Sequence, residues 1–120
     1  MNRESRRQAD AWSASRWSFL VRFALARMVD SDGAGPYELS LTLAEALTGG
    51  ARIQATFTGV VGLEVGDLNG LLGWMLEIEP VADRGLERIR YRVVESENDS
   101  LRFWCHDYAT TALGASGESR

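Results

Sequence analysis

The sequence predicts a mainly β domain: one antiparallel, curved sheet or a small sandwich of about six strands. Three observations predict it. In the stretch Leu86 to Cys105, LERIRYRVVESENDSLRFWC, apolar Ile89, Tyr91 and Val93 alternate with Arg88, Arg90 and Arg92, and Leu101, Phe103 and Cys105 alternate with Arg102, Trp104 and His106. Period two is the mark of half-buried strands. Similar alternation recurs in earlier segments. The links between segments are short and rich in turn residues, which leaves no room for helical crossovers and favours antiparallel pairing.

Each element follows in order. Residues 1–15, MNRESRRQADAWSAS, read as a polar, flexible arm. From Trp17 to Val29 a strand reading puts Trp17, Phe19, Val21, Phe23 and Leu25 on one face, whereas a helix reading stacks Leu20, Ala24 and Met28. The turn chemistry of Asp30 to Pro36 and the alternation of Tyr37, Leu39, Leu41 and Leu43 favour a hairpin, with one N-terminal helix as the alternative. Thr48-Gly49-Gly50 turns the chain into Arg52–Phe57, where Ile53, Ala55 and Phe57 alternate with polar residues. Gly59 then interrupts the pattern and VVGLEV resumes in the opposite phase, as at a bulge or bend. Leu72, Trp74, Leu76 and Ile78 mark a further strand ended by Pro80. Asp83-Arg84-Gly85 leads into the arginine-bearing hairpin. Residues 16–108 thus form the β-rich domain, and 109–120 read as a flexible tail. The expected core is Phe19, Val21, Phe23, Leu39, Leu41, Ile53, Phe57, Leu72, Trp74, Leu76, Ile78, Ile89, Tyr91, Val93, Leu101, Phe103 and Cys105.

Composition narrows the function classes. The 120 residues carry a net charge of −4, which disfavours nucleic acid and anionic membranes as partners. All thirteen cations are arginine, so lysine Schiff-base chemistry is excluded and every cation is a planar, permanent charge. A single cysteine permits no internal disulfide, and with a single histidine it makes a poor metal set. The charged start of the chain is unlike a secretory signal, and Arg22 and Arg27 interrupt the most apolar run, so a cytoplasmic protein is expected.

No complete catalytic constellation emerges, and a non-enzymatic role without metal or cofactor is expected. Cys105 and His106 are neighbours on a strand and point to opposite faces, so they cannot act as nucleophile and base. Asp30, Asp32 and Gly33 echo part of a calcium loop whose other ligands are missing. The arginine row Arg88, Arg90, Arg92 and Arg102 should share the outer face. A three-residue loop at Ser96-Glu97-Asn98 would set Arg92 opposite Arg102, with Glu77 and Glu79 close enough to compensate. Such a row ordinarily solvates a sheet, but beside Trp104 it has the composition of an interface hot spot. Trp104 is either such an anchor or is covered by Trp17–Met28. The expected binding residues are therefore Arg90, Arg92, Arg102 and Trp104. The acidic stretches Asp30–Asp32 and Glu95–Asp99 are the alternative recognition elements. A small-molecule or weakly catalytic site near Trp104, His106 and Asp107 is the rival function.

The segments ARIQATFTGVVGLEV, LGWMLEIEPV and RYRVVESENDSLRFWC, spread over Ala51–Cys105, resemble small all-β immunity proteins of bacterial polymorphic toxin systems. The resemblance implies an intracellular, non-enzymatic protein that binds and caps a cognate toxin domain. It brings no catalytic residues with it.

Overall fold

A computed structural model describes residues 12–30, 33–46, 48–68, 73–81 and 89–115. Its strands are β1 (Phe19–Asp30), β2 (Gly33–Ala44), β3 (Ala51–Val65), β4 (Leu76–Pro80), β5 (Tyr91–Glu95), β6 (Leu101–Cys105) and β7 (Asp107–Ala115). They form one open, seven-stranded antiparallel sheet in the order β1-β2-β3-β6-β5-β4, with β7 also on β3. The fold class is thus the one the alternation predicts, as a single curved sheet. Trp17–Val29 contributes an edge strand and not a helix, because β1 pairs with β2 from Phe19↔Ala44 to Asp30↔Gly33.

β3 is the axis of the molecule. Its first half lies between β2 and β7, and its second half pairs with β6. The register Thr58↔Asp107 continues directly into Val61↔Trp104, so β6 and β7 act as one long strand along a single edge of β3. The bend read at Gly59 is present. Gly59 has φ 69°, and the amide of His106 donates to the Thr58 carbonyl at 2.9 Å across it. Ala109 to Ala115 belong to β7, so the sheet runs past the Tyr108 boundary expected from sequence. Its mostly small residues, with the one large apolar side chain, Leu113, exposed, hide a strand whose ladder runs to β3. Residues 116–120 lie outside the described residues, as do 1–11 of the expected arm.

The stretch before β1 curls the sheet. Trp74 donates its amide to Ser18 O at 2.8 Å, and the Trp12 indole donates to Leu76 O at 2.6 Å. These bonds bring the start of β1 to the entry of β4, the opposite end of the strand order. The concave face then encloses Leu39, Leu41, Leu43, Phe57, Leu76, Val93, Leu101, Phe103 and Cys105, all fully buried or nearly so. Phe57 meets Phe103 edge-on at 5.1 Å and stacks with Tyr108 at 5.7 Å, while Tyr91 meets Tyr108 edge-on at 5.0 Å. Each such side chain stabilises the fold by roughly 1.5–3 kcal/mol through burial.

Several expected core positions are not buried. Val21 is 46% exposed because the β1–β2 register slips between Leu20 and Arg22, and Leu20 packs on the core in its place. Phe19, Phe23, Ile53, Ile78 and Ile89 are half-buried at edges and strand ends. Leu72 lies outside the described residues. Trp17, Leu43, Val60 and Tyr108 join the core instead.

Candidate functional site

The outer face of β4, β5, β6 and the second half of β3 carries the expected binding residues. Alternation puts Tyr91, Val93, Leu101, Phe103 and Cys105 inward, and leaves Arg92, Val94, Arg102 and Trp104 half-exposed on the other side. Cross-strand pairing arranges two rows. One runs Glu79, Arg92, Trp104, Val61; the next runs Glu77, Val94, Arg102, Glu64. Arg92 bonds Glu79 at 3.5 Å, and Arg102 is paired with Glu64. Glu77 accepts a 2.9 Å bond from the Ser96 hydroxyl. Arg90 is half-buried at the start of this face, its amide donating to Cys105 O at 3.0 Å. Arg88 lies outside the described residues.

Trp104 is the centre of this surface. Gly62, at φ 65°, lies under the ring so closely that a Cβ there would sit 2.9 Å from Cε3 of the indole. The contact that orients Trp104 is therefore β3 and not the Trp17–Met28 segment, whose Trp17 is buried in the core. Beside it Val61 is 46% exposed. The result is an aromatic and two valines ringed by arginines and glutamates, which is the layout of an apolar centre with a polar rim.

The register differs from expectation by two residues, and its cause is a residue that alternation alone did not single out. Arg92 faces Trp104, and Arg102 faces Val94, because Glu95 pairs with Leu101. The β5–β6 loop is longer than three residues, and the Glu95 carboxylate shapes it. Fully buried, that carboxylate accepts the amides of Met75, Glu97, Asn98 and Ser100 at 2.9–3.1 Å and the Ser100 hydroxyl at 2.6 Å. Asn98 closes the loop on Gly73 O at 2.7 Å, and Asp99 takes the left-handed φ of 56°. Burial pushes the Glu95 carboxyl up. The Ser100 hydroxyl and the Met75, Ser100 and Asn98 amides outweigh that and hold it below its ordinary value. Its signal was in the sequence: an acid at an inward position of the Tyr91–Val93 parity, followed by Ser-Glu-Asn-Asp-Ser. Glu95 is consequently unavailable for recognition. In the other acidic stretch, Asp32 lies outside the described residues.

The CHDY run divides as its spacing implies. Cys105 is buried, and its thiol is pushed up to about 12 by burial and then by the charge of Asp107. His106 is exposed on the other side. The Asp107 carboxylate accepts the Tyr108 amide at 2.9 Å, and no hydrogen bond among the described residues ties it to the imidazole. His106 does line an open groove of about 620 Å³ with Pro36, Tyr37, Gly59, Val61 and Ile89, walls that are mostly apolar. The chemistry of that lining suits contact with an apolar side chain more than proton transfer. Among the described residues no cluster of His, Cys, Asp or Glu could hold a metal ion, and no helix is long and apolar enough to cross a membrane.

No curated protein and no solved structure matches the chain. A family model does: that of immunity protein PIM8, over residues 8–111, which takes in every strand from β1 to β6 and most of β7. The chain belongs to the immunity protein PIM8 family, and its general role is that of a protein-binding immunity protein.

Proposed function

We propose that the protein neutralises a cognate toxin domain by capping it, without catalysis, in the cytoplasm of the cell that makes both. The docking face is the outer surface of β4–β5–β6, with Trp104 as anchor and Arg90, Arg92 and Arg102 in its rim. The observation that carries this reading is the placement of Trp104: half-exposed, packed closely against Gly62, and flanked by Arg92 and Arg102. A rigid aromatic loses little conformational freedom on binding, and tryptophan and arginine concentrate binding energy at interfaces. The arginines are paired to Glu79 and Glu64 within the free protein. An acidic partner surface would exchange these pairs for its own, which sets orientation and rate more than affinity.

The test uses the cognate toxin domain, found first by pull-down or from the neighbouring gene. Trp104→Ala should weaken its binding by about 2 kcal/mol or more, near thirtyfold, as a central aromatic does. Charge reversal at Arg90 and Arg102 should slow association and reduce its salt dependence. Unchanged affinity and rate in both variants would refute this face. Loss of binding on reversing Asp32, Glu97 and Asp99 would place recognition on the acidic loops instead.

A further inference from the structure

The sheet splits on one side of β3, and the split is open. Pairing of β2 to β3 stops at Tyr37↔Val60. Pro36 precedes it and has no N–H to donate, while Gly59, with its positive φ, bends β3 away. Beyond that point β2 runs on from Gly33 to Pro36 in the hairpin with β1, and β3 runs on from Val61 to Val65 with β6 on its other edge. The edge of Val61–Val65 that faces β2 is therefore unpaired among the described residues. Val61 and Val65 are 46% and 44% exposed. Gly66 donates its amide to Ser100 O, on the β6 side, at 2.8 Å. Successive amides of a strand point to alternate edges, so the Val65 amide is aimed into the split.

The walls of the split are apolar. A hollow of about 420 Å³ is lined by Leu25, Tyr37, Val60, Val61, Gly62 and Leu63, next to the groove that ends at His106. Its rim is cationic. Arg27 lies over the Tyr37 ring at 4.7 Å and has no carboxylate partner among the described residues. In a chain of net charge −4, a guanidinium group without a carboxylate partner beside an apolar slot fits an apolar segment flanked by carboxylates.

We propose that this split is a strand-receiving slot: an extended segment of the toxin, apolar at alternate positions and acidic beside them, adds to the free edge of β3 at Val61–Val65. The proposal rests on the capping reading, because the toxin supplies the strand. Main-chain hydrogen bonds supply affinity in such an addition, and pockets for alternate side chains supply specificity. A second copy of this chain is a poorer occupant. Its own edge strand entering the slot would make a head-to-tail contact, which does not close into a dimer and propagates as a fibre.

Hydrogen exchange of the whole protein, alone and with the cognate toxin domain so found, tests this. On complex formation the Val65 amide, and the others of Val61–Val65 that share its edge, should exchange about tenfold more slowly or better, as newly bonded strand amides do. Val65→Pro removes the donor aimed into the slot while leaving the Gly66 bond to β6, and Arg27→Glu reverses the rim without touching the backbone. Both should weaken the toxin by about tenfold or more if a strand docks there. Circular dichroism of each variant confirms that the sheet is intact. A complex that forms normally with no protection at Val61–Val65, and with Arg27→Glu at full affinity, overturns the slot and leaves the outer face standing. Protection already present in the free protein, growing with concentration, assigns the slot to a second copy and also overturns it. Absence of any complex overturns the capping reading and the slot together.

Discussion

Gly59 and His106 meet so closely that a Cβ on residue 59 would lie 2.8 Å from the Cβ of His106. This is the point where β3 bends and where β6 passes into β7. The contact needs both the missing side chain and the positive φ of Gly59.

Gly59→Ala should therefore destabilise the protein by roughly 1–3 kcal/mol, the cost of a left-handed conformation for a side-chain-bearing residue together with the steric push on the His106 backbone. Urea unfolding gives the value. A loss of a few tenths of a kcal/mol or less would mean that the bend relaxes and is not a fixed hinge.

Glu95→Gln should cost about 2–4 kcal/mol, because the carboxylate's donors are buried with it and an amide nitrogen cannot accept from them. The far-ultraviolet spectrum should keep its β character, while the Trp74 fluorescence changes as the loop loosens around Met75. A stability equal to wild type would show that the loop holds its shape without the charge.

Acid should act through the same group. The folded-state value of Glu95 is depressed, so its contribution is complete above the unfolded-state value of about 4.3 and is lost as pH falls through the lower folded value. Glu45, lowered by the Ala51 amide and by Arg16, acts in the same direction. The stability gap between wild type and Glu95→Gln should be widest near neutrality and narrow by about pH 3. A gap independent of pH would assign the cost of the substitution to packing.

Cys105 should resist alkylation in the native protein near neutral pH. Burial and the nearby Asp107 keep it a thiol, with a value of about 12, and reagents cannot reach it. Labelling with iodoacetamide should proceed at the rate of global unfolding and accelerate with urea. Rapid native-state labelling would mean that β6 opens on its own.

What the sequence made legible follows from how each residue is held. Strands buried on one face by large side chains declare themselves, as Tyr91 and Val93 do, or Leu101 and Phe103. Gly59 declared the bend because a glycine with a change of phase has few other meanings. β7 did not show, since Ala109 to Ala115 join the sheet through backbone bonds to β3 and little else. The pairing of Arg92 with Trp104 was hidden because it depends on a loop whose length is set by a buried carboxylate. Trp104 was visible as an exposed aromatic, but its support, Gly62, comes from a strand distant in the chain. The split beside Val61–Val65 is a property of three strands at once, and no single stretch contains it.

The central position of β3 has a consequence for how the protein comes into being. Its two flanks are made at different times. β2 precedes it directly, whereas the partners on the other edge begin only at Leu101, so that Ala51 waits for Ala115 and Val65 for Leu101. Contacts this distant in the chain slow folding, because the intervening segment must be ordered before they form. During synthesis the β1–β2–β3 meander stands as a half-sheet with one raw edge until residues 101–115 have emerged. A folded sheet, and with it any surface built across β3 and β6, then exists only after translation has passed that point, with a lag set by closure of the sheet.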